Sequence, residues 1–100
     1  MKYLSEFALL PGTQQEYKRR HDELWPDMKA LIKEAGIRNY SIWNINTRLI
    51  EYFEADNIAL TRRIIEQSDV KHRWDEYMSD ILVFNEEGKM TQLELMFDLN

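Results

Sequence analysis

The chain of 100 residues contains no cysteine and only two histidines. Without cysteine it can hold no disulfide, zinc–thiolate or iron–sulfur site, and such a composition is compatible with a cytoplasmic protein. His21 and His72 alone cannot assemble a histidine-rich metal site within one chain. We therefore expect that the protein binds no metal.

Long apolar runs and an excess of positive charge are missing as well. No segment approaches the ~20 apolar residues of a membrane helix, and Glu6 interrupts the apolar start that a signal peptide would need. The net charge is −5 and the short Lys and Arg runs are interleaved with acidic residues, which argues against a nucleic-acid-binding surface. We expect a single domain over residues 1–100 that binds neither membranes nor nucleic acids.

Aromatic side chains are abundant by contrast, with three Trp, five Tyr and four Phe. Rings in excess of the needs of a core often line a ligand pocket. Several of these rings fall in one amphipathic segment, which is predicted to form a single helix from Thr13 to Gly36. We expect a capping box of Thr13 and Glu16 at its start and a kink at Pro26.

The inward face of this helix carries unusual chemistry in its first two turns. Steps of three and four residues place eight side chains on that face: Tyr17, His21, Leu24, Trp25, Met28, Leu31, Ile32 and Ala35. A core-facing helix would normally begin with aliphatic residues, whereas this one begins with a phenol, an imidazole and an indole. Tyr17 and His21, one turn apart, form a proton-handling pair of the kind that a sugar-binding acid/base site needs. The alternative is that His21 is a buried structural histidine.

The remaining segments complete a βαββαβ order. We predict strands over 3–10, 37–45, 49–55 and 93–99, helices over 58–67 and 70–83, and a turn over 85–88. Asp56 or Asn57 caps the first of these helices and Ser68 with Asp69 the second. This order indicates an α+β, ferredoxin-like fold with a four-stranded antiparallel sheet and helices on one face.

The strands of this sheet carry apolar residues on both faces. Leu49 and Phe53 lie on one face of their strand, and Ile50 and Tyr52 lie on the other. A sheet with one solvated face would alternate more cleanly between apolar and polar residues. We therefore expect either a homodimer whose sheets pack face to face, as in dimeric α/β-barrels, or a sheet that wraps a ligand.

Two further segments hold candidate site residues. Tyr40 lies in the middle of a strand, where a core or interface tyrosine is the alternative to a binding residue. The segment from His72 to Asp75 combines polar groups with an indole, and its alternative is a solvated helix edge that Trp74 anchors in the core. Since His72 points away from Trp74, we interpret it as a surface residue.

Three motifs in register make the chain similar to the L-rhamnose mutarotase family. They are Tyr17, His21 and Trp25-Pro26-Asp27-Met28 on the first helix, Asn39-Tyr40-Ser41-Ile42 on the next strand, and Arg73-Trp74-Asp75 with Met78. The resemblance spans nearly the whole chain. It implies a dimeric, cofactor-free enzyme of ferredoxin-like fold that interconverts the α and β anomers of L-rhamnose.

The resemblance also implies roles for individual residues. His21 corresponds to the proton donor, and Tyr17, Tyr40 and Trp74 correspond to residues that bind the monosaccharide. Asp75 stands where the family has a second tryptophan, so a carboxylate that accepts hydroxyl hydrogen bonds replaces an apolar platform. We expect Asp75 to bind the sugar as well, and the alternatives are that it points to water or pairs with Lys71. The choice of deoxy sugar stays open. The base that complements His21 is unassigned, and its candidates are the sugar's own hydroxyl network, water and Asp75.

Two other classes of function share this fold. One is a cofactor-free monooxygenase or haem-degrading enzyme, whose pocket is apolar and binds flat aromatic molecules. The other is a non-catalytic dimer that binds a small ligand. Polar residues beside the aromatic ones favour a sugar.

Overall fold

The computed structural model describes residues 1–99 and contains a single antiparallel sheet with helices on one face. Its elements follow the chain as β1 (Lys2–Leu9), α1 (Gln14–Asp22), α2 (Pro26–Glu34), β2 (Arg38–Ile45), β3 (Arg48–Glu54), α3 (Ile58–Glu66), α4 (Asp69–Met78), β4 (Leu82–Val83) and β5 (Thr91–Leu93). The sheet order is β2-β3-β1-β4, and β5 also pairs with β1. The predicted ferredoxin-like arrangement is confirmed.

The fourth strand position is occupied by two short strands. Val83 of β4 lies opposite Ala8, and Thr91 of β5 lies opposite Glu6, so residues 84–90 loop out between them. The predicted turn lies in this loop, where the Gly88 amide donates to the Asn85 carbonyl at 2.8 Å. The predicted final strand over 93–99 was wrong in extent, since only its first residue belongs to β5 and residues 94–99 are exposed.

The single long helix predicted from Thr13 to Gly36 is in fact two helices. Pro26 is the first residue of α2, where its missing amide hydrogen leaves no helical bond unmade. Trp25 before it has φ −58° and ψ 138°, because the residue preceding a proline is driven out of the helical region. The chain is broken rather than kinked, although the predicted inward face remains buried or half-buried on both helices.

The capping signals were correct at two helix starts and wrong at one. The side chains of Asn57 and Ser68 accept hydrogen bonds from the Leu60 and Lys71 amides, as predicted. The predicted capping box does not form, because the Thr13 hydroxyl donates to the Leu10 carbonyl at 2.7 Å instead.

Glu16, the other member of the predicted capping box, accepts hydrogen bonds from Arg19 and Arg20 instead. A helix boundary also differs from the prediction. Helix α4 ends at Met78, five residues before the predicted end at 83, because Leu82 and Val83 pair with β1. A backbone hydrogen bond of 3.2 Å from Ile81 to the Met78 carbonyl closes the turn after the helix.

The core lies between the helices and the inner face of the sheet. Strand alternation places Ser5, Phe7 and Leu9 of β1 on this inner face, with Leu49 opposite Phe7. The outer face carries apolar side chains, and no helix in the described part of the chain covers them. Among residues 1–99, no helix is long and apolar enough to span a membrane.

Met78 offers a test of this packing, since its side chain is only 1% exposed and belongs to the core cluster. Met78→Ala should lower the free energy of unfolding by about 2–5 kcal/mol, through lost burial and the cavity that remains. Leu60→Ala on α3, where the side chain is 44% exposed, is the control and should change it far less. Urea denaturation measures both, and equal effects would contradict the assigned core.

Candidate functional site

The break between α1 and α2 turns three aromatic rings toward one another. Because Trp25 is in an extended conformation, its indole leaves the helical stripe and packs edge-on against Trp74 of α4, at 5.1 Å between ring centroids. Tyr77 lies beside both indoles, at 5.4 Å from Trp25 and 5.5 Å from Trp74. Edge-to-face contacts of this kind stabilise aromatic clusters beyond the area they bury.

His21 is held against this cluster. Its imidazole stacks on the ring of Tyr17 at 4.3 Å and meets Trp74 edge-on at 5.3 Å, with the planes at 90°. Tyr17 and Trp74 are each only 7% exposed, so both rings are themselves fixed by the core. The imidazole is thus oriented by packing from two sides.

A hydrogen bond also determines which nitrogen of the neutral His21 ring carries the hydrogen. Nδ1 lies 3.2 Å from the Tyr17 carbonyl oxygen, which can only accept. In the neutral ring Nδ1 therefore carries the hydrogen and Nε2 carries the free lone pair. Burial lowers the pKa of His21 below its usual value, while the Tyr17 carbonyl and the charge of Asp22 oppose the shift.

A cavity of about 610 Å³ lies between the two helices and the sheet. This volume is typical of sites for small molecules, which occupy roughly 300–1,000 Å³. Its wall combines apolar, amide, phenol and imidazole groups: Leu9, Gln14, Gln15, Tyr17, Lys18, His21, Asp22, Leu24, Met28, Ile32, Tyr40, Ser41, Ile42, Asn44, Leu49 and Trp74. The structure thus brings four of the five predicted site residues to one cavity: Tyr17, His21, Tyr40 and Trp74.

Tyr40 reaches the cavity from the sheet side. The register of β2 against β3 shifts between Arg38 and Ser41, and Asn39 has a left-handed φ of 50°, so one extra residue bulges out of the ladder. The hydroxyl of Tyr40 donates to Glu51 Oε2 at 2.6 Å. Burial raises the pKa of Tyr40 well above its usual value, and the negative charge of Glu51 adds to the effect.

Glu51, which the sequence analysis did not single out, lies behind the Tyr40 side of the cavity wall and accepts the Tyr40 hydrogen bond. It lies on β3 opposite Ser5 and Ile42, on the inner face of the sheet. Burial raises the pKa of Glu51, whereas the hydrogen bond from Tyr40 and the ammonium of Lys71 lower it. The alternation of this strand contained the signal, because it places a carboxyl group on a face that is otherwise apolar.

Asp75 lies apart from the cavity wall. Its carboxylate forms an ion pair with Lys71 one turn earlier on α4, and its side chain is 53% exposed. Within the described residues 1–99, Asp75 is not one of those that line the cavity. His72 is an exposed residue, as predicted, and its Nε2 lies 3.0 Å from the Glu66 carbonyl oxygen.

Comparison with known proteins identifies the family to which this site belongs. A family model described as L-rhamnose mutarotase matches residues 2–99. The chain belongs to the L-rhamnose mutarotase family. It is therefore an enzyme of the isomerase class, and the monooxygenase and non-catalytic alternatives are not favoured.

Individual relatives agree with this membership. Proteins named L-rhamnose mutarotase from Listeria monocytogenes and Bacteroides thetaiotaomicron are 38% and 30% identical to it, each over 87% of this chain and 85% of their own length. The crystal structure of an L-rhamnose mutarotase from Formosa agariphila superposes with a TM-score of 0.86 at 26% identity, covering 100% of this chain and 99% of that one. A polyketide cyclase from Streptomyces glaucescens, at a TM-score of 0.75 and 14% identity, shares the fold alone; the match covers 100% of this chain and 97% of the cyclase.

Proposed function

We propose that this chain interconverts the α and β anomers of L-rhamnose, or of a related deoxy sugar, as a single domain over residues 1–100. The observation that carries the proposal is the placement of His21. Its imidazole is fixed between Tyr17 and Trp74 at the wall of a cavity large enough for a monosaccharide. Membership of the mutarotase family supports the same reaction.

The chemistry needs only proton transfers and one reversible carbon–oxygen bond. His21, protonated, donates a proton to the ring oxygen as the ring opens, while the anomeric hydroxyl loses its proton and becomes the carbonyl oxygen of the aldehyde. Rotation about the bond next to this carbonyl presents its other face, and closure there gives the other anomer. A well-placed acid or base contributes about 10²–10⁴-fold to such a step.

The two tyrosines and the indole orient the sugar. The hydroxyls of Tyr17 and Tyr40 offer hydrogen bonds to sugar hydroxyls, and Trp74 offers an apolar surface to a C–H face. No electron transfer takes place, so the reaction itself requires no redox cofactor. The exchange is therefore a matter of positioning and proton transfer.

Replacement of the imidazole tests this role. His21→Ala should lower the rate of anomer exchange by about 10²-fold or more, since the acid is removed. His72→Ala is the matched control, because His72 is exposed and should leave the rate unchanged. NMR saturation transfer between the anomers of L-rhamnose measures both, with circular dichroism as the check on folding. Equal losses in both variants would show that His21 is structural.

Asp75 is the position at which we propose that this chain tunes its choice of sugar. It directly follows Trp74 on α4 and replaces the second tryptophan of the family motif. A carboxylate favours a hydroxyl over a methyl group, because its lone pairs require hydrogen bonds when it loses water. The observed ion pair with Lys71 is the competing role.

The two roles of Asp75 predict different results. Asp75→Trp should shift the ratio of exchange rates towards L-rhamnose, which has a methyl group, relative to more hydroxylated sugars. Glu76→Trp, on the next exposed residue, is the control and should keep the ranking of the parent. Saturation transfer over a panel of sugars gives the ranking. An Asp75→Trp variant that ranks the sugars as the parent does would leave Asp75 only its pairing with Lys71.

We also propose that the enzyme is a homodimer in which the two sheets pack face to face. The outer face of the sheet presents apolar side chains that remain exposed in one chain: Leu4, Trp43, Ile45, Val83 and Leu93. The side chains of Leu95, Met96, Phe97 and Leu99, beyond β5, are exposed as well. Contiguous apolar surface of this kind usually marks an interface.

We further propose that the enzyme acts in the cytoplasm. The lack of cysteine is compatible with this location.

Sedimentation at micromolar concentration tests the dimer. The protein should sediment at roughly twice the 12.1 kDa of one chain. Trp43→Glu should shift it towards the monomer, because Trp43 is 68% exposed at the outer face and a carboxylate there would be buried unpaired. Leu60→Glu, an exposed apolar position on α3, is the control and should not. A wild-type protein that sediments only as a monomer would refute the interface.

A further inference from the structure

A carboxyl group lies behind the sheet-side wall of the cavity, while His21 lies on the helix side. Glu51 is on the inner face of β3, between Leu49 and Phe53, and accepts a hydrogen bond from the Tyr40 hydroxyl at 2.6 Å. Tyr40 and His21 line the same cavity. A sugar bound there would thus have an imidazole on one side and a phenol backed by a carboxyl group on the other.

Groups from two elements oppose the effect of burial on the pKa of Glu51. Tyr40 on β2 donates a hydrogen bond to it, and the ammonium of Lys71 on α4 attracts its charge. The phenol of Tyr17 on α1 is close enough that the charge of Glu51 raises the Tyr17 pKa. Burial outweighs these contacts, so the pKa of Glu51 lies above that of an exposed glutamate. Asp75 pairs with Lys71 and so holds one of these groups in place.

A second tyrosine–glutamate pair, Tyr52 and Glu54 on β3, allows the pKa of Glu51 to be compared with that of another glutamate. The Tyr52 hydroxyl donates to Glu54 Oε2 at 2.5 Å, and Asn39 donates to Oε1 at 3.1 Å. There the hydrogen bonds dominate and lower the pKa of Glu54. The pKa of the half-buried Glu51 is raised instead, so Glu51 takes up a proton at a higher pH than Glu54 does.

We propose that Glu51, acting through the Tyr40 hydroxyl, is the proton acceptor that complements His21 in the anomer exchange. Because the Tyr40 hydrogen is committed to Glu51, the phenol oxygen presents its lone pairs to the cavity and can accept a hydrogen from a sugar hydroxyl. Glu51 is thus a positioning residue, and Tyr40 is the group that touches the substrate. The inference rests on the proposed function.

The proton transfers balance in both directions. On ring opening, the proton of the anomeric hydroxyl moves to Tyr40 Oη as the Tyr40 proton moves to Glu51, and the electron pair left behind forms the carbonyl bond. The bond between the anomeric carbon and the ring oxygen breaks, its electron pair stays on that oxygen, and His21 Nε2 supplies the proton. Ring closure on the other face of the aldehyde reverses each transfer, so all three side chains return to their starting states.

Glu51→Gln tests the role of the carboxylate while preserving its size and its ability to accept the Tyr40 hydrogen bond. We expect anomer exchange of L-rhamnose to fall by about 10²-fold. In the wild type, activity should be lost as the pH falls through the raised pKa of Glu51, because the carboxylate must be ionised to accept the proton. This acid-side loss should disappear in Glu51→Gln. Glu54→Gln is the matched control and should keep the rate and the pH profile of the wild type.

The dependence on Tyr40 is tested by combining changes. If Glu51 acts through Tyr40, the double variant with Tyr40→Phe and Glu51→Gln should be no slower than the slower single variant. A Glu51→Gln variant with wild-type rate and profile would overturn the inference, and so would additive losses in the double variant. A wild-type protein that exchanges the anomers of no sugar would instead refute the proposed function.

A measurement on the protein without sugar tests the coupling of Glu51 and Tyr40 directly. It uses only the wild type and Tyr40→Phe, so it does not require Glu51→Gln to fold. ¹³C NMR of labelled glutamate should show Glu51 titrating above the ordinary value of about 4.3 in the wild type. In Tyr40→Phe its pKa should rise further, because the hydrogen bond that favours the ionised form is lost. An unshifted Glu51 pKa in Tyr40→Phe would overturn the coupling of these two residues.

Discussion

The indole of Trp74 meets the rings of His21 and Trp25 edge-on, at 5.3 and 5.1 Å, and the rest of the site depends on these contacts. Trp74 comes from α4, His21 from α1, and Trp25 from the break that precedes α2. A single buried ring therefore joins three helices and forms part of the cavity wall. Because the imidazole is packed between Trp74 and Tyr17, the site is pre-organised by the same contacts that close the core.

The sheet divides the molecule into two surfaces with different roles. Its inner face carries the core and, at the side of β2 and β3, the phenol of Tyr40 and the carboxyl group of Glu51. The partial loss of water around these polar groups is tolerated because Tyr40 donates a hydrogen bond to Glu51. Its outer face exposes Trp43 and Ile45, and no helix among residues 1–99 lies over it. A fold with helices on one face only thus places the cavity between helices and sheet and leaves the apolar side chains of the other face exposed.

Local signals in the sequence correctly predicted the elements whose conformation depends mainly on neighbouring residues in the chain. The βαββαβ order, the caps at Asn57 and Ser68, and the inward stripe that contains Tyr17 and His21 are all confirmed. The continuous helix was wrong, because the conformational limit that Pro26 places on the preceding residue ended it there.

The end of the chain was predicted less well. Helix α4 stops at Met78 because the following residues find strand partners in β1, and such pairing competes with helical periodicity only in the folded molecule. The apolar alternation of residues 93–99 predicted a strand, but only the segment Thr91–Leu93 pairs with β1. Alternation describes which side chains could share a face, whereas a strand also needs a neighbour with free backbone groups.

The sequence by itself determined the fold class, through the order of its elements, and the family, through three motifs in register. It also predicted that Tyr17, His21, Tyr40 and Trp74 share one site, and all four line the same cavity. Only the tertiary structure decided what stands behind them. Strand pairing and the bulge at Asn39 place Glu51 within hydrogen-bond distance of the Tyr40 hydroxyl. The pairing of Asp75 with Lys71 was one of two geometries open to the sequence. The shift in the pKa of Glu51 depends on burial and on neighbours distant in sequence, so it arises only once the chain has folded.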